Sequence, residues 1–171
     1  CKLVAAVGNN TEGTAFPTTG LYTGRKFYRT DLFLDCFYDG TRWLTLEEYT
    51  LPVIMEGTFP ASASSDWTMR CVVPADYQIY LTRLNGVTYI ATTNDGTKYW
   101  TIAFTSKDSA LATIATITTI STISDAINTA VNKDVTINAL VSTSAKALTF
   151  IPTKVSTPGT CRYWPQILYR K

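Results

Sequence analysis

Short apolar runs separated by turn residues dominate the chain, and several alternate with a period of two. Tyr77, Ile79 and Leu81 alternate with Gln78, Tyr80 and Thr82 in the clearest example. This alternation predicts a half-buried strand. Comparable runs predict further strands at residues 67–73, 87–92, 98–104, 135–141, 147–152 and 161–169, the last broken or displaced at Pro165. About eight strands at short spacing are typical of a β-sandwich or jelly roll.

Three turn signals connect these runs. They are Asp39-Gly40, Asn85-Gly86 and Asn94-Asp95-Gly96. Asp-Gly and Asn-Gly between β-prone segments favour hairpins, because the central residues of a type I′ turn need positive φ. The sequence therefore predicts three hairpins and an antiparallel meander.

The segment 110–123 does not fit a single period. Its isoleucines recur every three residues, at 114, 117, 120 and 123. The density of β-branched residues favours a strand, since these side chains lose χ1 freedom in a helix. We expect a strand over 112–120 and a short helix over 124–131, capped by Ser124 or Asp125.

The predicted fold class is all-β, with three parts. Residues 1–23, rich in Gly, Asn and Thr, are expected to form an extended arm or linker with at most one short strand at 3–7. Residues 24–49 form an aromatic hairpin module, and residues 50–171 an antiparallel β-sandwich or jelly roll. Within the hairpin we expect one aromatic cluster, made of Phe27, Tyr28, Phe37, Tyr38 and Trp43.

Three sequence elements resemble virion proteins of tailed bacteriophages. The run GRKFYRTDLFLDCFYDGTRW at 24–43 resembles a hairpin tag of tail-fibre and appendage proteins. The run NDGTKYWTI at 94–102 and the closing TK…PG…YR at 153–170 resemble parts of the β-sandwich that often follows the tag. The resemblance implies a structural protein on a virion surface that assembles as a homo-oligomer, most often a trimer.

Composition and charge exclude several kinds of function. The net charge of +2 comes from scattered residues, whereas duplex binding needs clustered Lys and Arg, so no nucleic-acid partner is expected. No apolar run is long enough for a membrane-spanning helix, and no leader pattern is visible. The chain contains no His, which rules out His-dependent triads and the usual zinc sites. We therefore expect no cofactor, no metal site and no catalytic residues, although two carboxylates could meet by chance.

The cysteines leave two questions open. Cys36, Cys71 and Cys161 lie in β-prone runs and are expected to be buried free thiols, although a disulfide could not be paired from sequence. The printed sequence begins at Cys1, which suits either an incomplete start or the processed end of a bacterial lipoprotein.

Aromatic residues provide the candidate binding site. Four Trp and ten Tyr suggest a platform on which a sugar ring could stack, with core or interface packing as the alternative for each one. The candidate glycan-binding residues are Tyr80 and Trp67, with Asn85, Asn94 and Asp95 as polar partners. The expected function is non-enzymatic: virion assembly with other virion proteins, and either host-glycan attachment or capsid decoration. The alternative is a secreted or lipid-anchored bacterial carbohydrate-binding module at the cell surface.

Overall fold

The computed structural model describes residues 11–52, 57–59, 69–75 and 77–171. Every regular element in these ranges is a strand, which confirms the predicted all-β class. The strands are β1 (Glu12–Gly13), β2 (Lys26–Arg29), β3 (Leu34–Tyr38), β4 (Trp43–Thr45), β5 (Tyr49–Leu51), β6 (Gly57–Phe59), β7 (Met69–Val72), β8 (Tyr80–Ile90), β9 (Tyr99–Lys107), β10 (Thr113–Ser121), β11 (Ala130–Asn132), β12 (Val135–Leu140), β13 (Ala147–Val155) and β14 (Cys161–Arg170). The chain divides into two compact units, Cys1–Tyr49 with Arg170–Lys171, and Thr50–Tyr169.

The small unit is built on a four-stranded sheet in the order β1-β2-β3-β4. The strands β2, β3 and β4 form an antiparallel meander, and β1 pairs with β2 in parallel. Phe16 follows β1 and stacks on Trp43 with 5.1 Å between ring centroids. Residues 11–16 therefore belong to this sheet unit, where the sequence predicted an extended arm or linker over 1–23. The strand expected at 3–7 lies outside the described residues.

The hairpin predicted at Asp39-Gly40 is present, but its turn differs from the expectation. Tyr38 pairs with Trp43, and the Asp39 amide donates to the Arg42 carbonyl. Only Gly40 has positive φ, at 104°, so the turn is not the predicted type I′, which needs two such residues. The Asp39 carboxylate accepts hydrogen bonds from the Thr41 and Arg42 amides, so the aspartate acts through its side chain.

The predicted single aromatic cluster is divided between the two faces of the sheet. Phe27, Tyr38 and Trp43 lie on one face, where Trp43 is 5.7 Å from Phe27 and 5.5 Å from Tyr38. Register places Tyr28 and Phe37 on the other face, opposite Asp35 and Leu44. Because successive side chains of a strand point to opposite faces, neighbours such as Phe37 and Tyr38 cannot share one cluster.

The larger unit is a sandwich of two sheets. One has the order β10-β9-β13-β7; the other has the order β11-β8-β14-β5, with β12 on β8 and β6 on β14. Phe150 of β13 meets Tyr163 of β14 edge-on at 5.6 Å, so the two sheets share one core. The predicted meander is wrong, because β8 and β9 lie in different sheets and pair with β14 and β13, which come much later in the chain.

The hairpin predicted at Asn85-Gly86 does not exist. Both residues lie inside the eleven-residue strand β8. A Cβ at Gly86 would come within 2.7 Å of the Tyr163 ring, so the glycine makes room for a buried aromatic rather than for a turn. Similarly, Pro165 does not break β14, which continues to Arg170.

Bulges explain the three-residue spacing of isoleucines. The ladder between β10 and β9 shifts between Thr113 and Ala115 and again between Thr116 and Thr118, so Ile114 and Ile117 are the extra residues. The expected strand over 112–120 is thus present, as an irregular one. The expected helix over 124–131 is wrong: the chain turns at Ile123 and Ser124, where the Asp125 amide donates to the Thr122 carbonyl, then bridges Ile127 to Ile90 and enters β11.

Candidate functional site

The predicted glycan-site residues do not assemble in one place. Tyr80 opens β8 and is half-buried, whereas Asn94 and Asp95 follow the other end of the same strand. Ten residue steps at about 3.3 Å separate those ends by roughly 33 Å. Asn85 lies between them within β8, with its side-chain oxygen buried and unpaired among the described residues. Trp67 lies outside the described residues.

The side chain of Asn94 takes part in a buried polar network at one end of the sandwich. Its amide donates to the carbonyls of Thr122 and Asp125, at 2.7 Å each. The Asp125 carboxylate accepts from the Thr88 hydroxyl at 2.7 Å and pairs with Lys133. The amide of Trp100 donates to the Thr122 hydroxyl, which ties the network to the core. These contacts give Asn94 a structural role in joining the loop after β8 to the turn after β10.

Asp95 shapes its own turn. Its carboxylate accepts from the amides of Thr97 and Lys98 and from the Thr97 hydroxyl. The Thr97 hydrogen bond is the main cause that lowers the pKa of Asp95. The turn links β8 in one sheet to β9 in the other, so the Asp-Gly signal is correct for a turn but wrong for a hairpin.

A shallow cleft lies at the opposite end of the sandwich, near the start of β8. It holds about 260 Å³ and is lined in part by Pro74, Tyr77, Gln78, Ser142, Thr143 and Lys146. The Tyr77 hydroxyl lies 3.0 Å from that of Tyr169, and the Gln78 amide donates to the Val141 carbonyl. Sequence reasoning selected Tyr80 and missed this cleft, because its lining comes from two segments, around residues 73–79 and 141–146, that are far apart in the sequence and meet only in the folded chain.

In the small unit, the loop between β2 and β3 presents two apolar side chains. Leu32 is 52% exposed and Phe33 is 80% exposed, and Phe33 has a positive φ of 54°. Arg29 braces the loop through two hydrogen bonds to the Asp31 carboxylate, at 2.9 and 2.8 Å. The same pair lowers the pKa of Asp31. A non-glycine residue held in a strained conformation at an exposed tip points to a contact role.

One side of the sandwich is formed by a stretch of chain with few charged residues. Residues 109–140 contain only three charged residues, against 15 basic and 13 acidic residues in the whole chain. Two of the three, Asp125 and Lys133, form the buried pair, which leaves Asp134. The stretch also contains five large exposed hydrophobic residues: Leu111, Ile114, Ile123, Ile127 and Leu140. We call this surface, formed by β10, β11, β12 and their connections, the neutral flank.

The three internal cysteines are buried free thiols, as expected. Burial raises the pKa of Cys71 to about 11 and that of Cys161 to about 12, and it also raises the pKa of Cys36. Because the thiolate is the reactive form, these side chains are suited to packing rather than to chemistry. Among the described residues, no group of three or more Cys, Asp or Glu side chains could hold a metal ion, and no helix could cross a membrane.

Comparisons with known proteins give distant likenesses only. No protein-family model and no curated protein matches the chain. A chain from the structure of infectious bursal disease virus Gt strain is similar with a TM-score of 0.43 and 8% identity, over 80% of this chain and 41% of that one. The corresponding values for the Gx strain are 0.41, 7%, 81% and 42%. An arabinose-bound GH51 α-L-arabinofuranosidase has a TM-score of 0.38 and 10% identity, over 80% of this chain and 22% of that one.

This chain therefore spans about two fifths of the two viral chains and about a fifth of the enzyme.

Proposed function

We propose that this protein is a non-enzymatic structural component of a virus particle surface, of the kind found in tailed bacteriophages. The observation that carries the proposal is the position of the exposed apolar residues. Of the eleven large hydrophobic residues that are exposed in the described part of the chain, seven lie on the tip at Leu32 and Phe33 or along the neutral flank, whereas the thiols are buried. Exposed apolar patches mark contact surfaces.

The hairpin tag supports the phage assignment in more detail. Residues of the quoted run form the braced tip through Arg29 and Asp31 and the tight turn through Asp39 and Gly40. The run therefore encodes a small, rigid contact module. We assign it to assembly with other virion proteins, either in a tail appendage or in a capsid decoration.

Attachment to host glycans is the finer part of the proposal, and the cleft beside Tyr77 is its best location. Its volume of about 260 Å³ has room for about one sugar ring, just below the usual range of ligand pockets. It combines one aromatic ring with an amide, two hydroxyls and an ammonium group. Thr143→Trp would fill this cleft from an exposed position. We expect it to lower adsorption to host cells without changing the melting temperature; unchanged adsorption would remove the glycan role.

Mass spectrometry of purified particles tests the main proposal. We expect the protein in the particles, with copies on the order of hundreds for capsid covering or about a dozen for a tail appendage, since symmetry fixes the number. Its absence from particles, together with a lipid on the N-terminal peptide of the bacterial protein, would instead establish the cell-surface carbohydrate-binding module.

A further inference from the structure

The neutral flank is less closed than the middle of the sandwich. In β9, β13 and β14, every strand has side chains that are fully buried in the core. In β10 only Ile120 is buried, and in β12 no residue is buried: half-buried and exposed positions alternate along it. The inward-facing residues Val135, Ile137 and Ala139 are thus only half covered within the described structure.

Two edge strands, one from each sheet, lie next to each other along this side. β10 ends its sheet, β12 pairs with β8 at the margin of the other, and the two strands approach each other. Neither edge carries the Lys or Pro that commonly protects an exposed edge strand. Instead both are bulged, β10 at two places and β12 between Thr136 and Ala139. Bulges interrupt the row of main-chain groups, so a partner would be held by side-chain packing and not by open-ended strand addition.

The chemistry of the flank restricts the partner. The flank offers a charged partner few countercharges: Asp134, Lys107, whose ammonium group donates to the Thr113 hydroxyl, and Arg83, which lies opposite Thr136. Apolar side chains with few charges are what protein interfaces favour at their centres, so the best complement is itself apolar and largely uncharged. Within the described residues, the surface of this composition is the flank of a second copy, and a two-fold axis would place the same residues on both sides.

The size of the flank is sufficient for a stable contact. The nine residues of β10 make the flank about 30 Å long. The two sheets are about 10 Å apart, and the edge strand of each sheet adds to this spacing, so the flank is about 20 Å wide. The flank then offers roughly 600 Å² per copy, or about 1,200 Å² in total, above the ~1,000 Å² expected of a biological interface. A single added peptide strand would cover only one of the two edges.

We propose that the neutral flank is the surface through which two copies of this chain associate with two-fold symmetry, instead of the trimer that the sequence resemblance implied. The inference deepens the proposed virion role by naming one partner, and it can fail while that role stands. Its contacts centre on Ile114, Ile123 and Ile127, whose side chains are 39%, 44% and 47% exposed.

Sedimentation equilibrium of the full chain tests this. We expect a dimer at roughly 50 µM, and Ile127→Lys should weaken it by at least about 100-fold, because it places an unpaired ammonium group in an apolar contact on each copy. Val72→Lys is the matched control: Val72 is 68% exposed on β7, the opposite edge strand of the β10 sheet, and the variant should remain a dimer.

Circular dichroism separates assembly from folding, since both substituted positions are exposed and the melting temperature of the diluted protein should be unchanged. A wild-type monomer at roughly 50 µM, or equal dimerisation of both Lys variants, would overturn the proposal. Cross-linking of the flank to a different protein in particles, with the chain itself monomeric, would also overturn the dimer proposal. That result would still agree with the proposed virion role.

Discussion

The central strands and the edge strand of the β10–β9–β13 sheet differ sharply in burial, although the same residue types build them. Ile102, Phe104, Leu148 and Phe150 of the central strands are fully buried against the opposite sheet. Ile114, near the start of β10, and Ile123, two residues beyond its end, remain exposed. Apolar composition therefore does not define the core; position in the sheet order does. A strand that is apolar but lies at the edge of its sheet is available for a partner.

The largest expected effect concerns the buried pair next to the flank. Asp125→Ala removes the partner of Lys133, whose side chain is only 16% exposed, and leaves the Thr88 hydroxyl without its acceptor. Breaking a buried pair in this way costs about 3–5 kcal/mol. Urea unfolding measures the loss, with Asp134→Ala as control at an exposed neighbouring position. Equal stability of the two variants would show that the flank turn does not depend on this network.

A pair of isoleucines three residues apart sharpens the comparison. Ile120 is 3% exposed and packs in the core, whereas Ile123 is 44% exposed on the flank. Ile120→Ala should lower the free energy of unfolding by about 2–4 kcal/mol, while Ile123→Ala in the dilute protein should lower it by less than about 1 kcal/mol. Thermal or urea unfolding of both variants checks this. A reversed order would mean that the flank, not the β9 side, faces the core.

The next effect tests the glycine inside β8. Gly86→Ala puts a Cβ within 2.7 Å of the buried Tyr163 ring, and overpacking of this kind costs about 1–3 kcal/mol. Gly96→Ala is the control: no atom lies within 4 Å of its Cβ and its φ is not positive, so the change should be within about 0.5 kcal/mol. The result is read from urea unfolding; a neutral Gly86→Ala variant would contradict the close packing of β8 on β14.

The smallest effect at neutral pH concerns the thiols. Because burial raises the pKa of Cys71 from 9.0 to about 11, folding favours its neutral form. The stability contribution is complete below pH 9 and decreases as the pH rises from 9 towards 11. At neutral pH, iodoacetamide should modify Cys36, Cys71 and Cys161 only in urea, as mass spectrometry of the peptides would show. Modification of the folded protein would mean that these thiols are accessible.

The sequence was sufficient for the strands but not for their partners. Alternation and turn residues correctly predicted the all-β class, the Asp39–Gly40 hairpin and most of the strands in the C-terminal part of the chain. Asn85-Gly86 misled the prediction, because a glycine required by Tyr163 has the same local pattern as a turn glycine. The pairing of β9 with β13 joins residues about fifty apart in the chain, and no local signal specifies it.

The candidate site was missed for a similar reason. Asn94 and Asp95 looked available as polar residues in a loop, but their hydrogen bonds go to Thr122, Asp125, Thr97 and Lys98. The lack of charge across 109–140 was visible in the sequence and pointed to the flank. What it could not show was that β10 and β12 would lie together at the margin of two sheets.

Hydroxyl-radical footprinting of the protein, free in dilute solution and assembled in particles, tests the central claim most directly. The account predicts that Ile114, Ile123, Ile127 and Leu140 lose reactivity on assembly, while exposed Val72 keeps it. If the four flank residues react equally in both states, the neutral flank is not a contact surface and the account is contradicted.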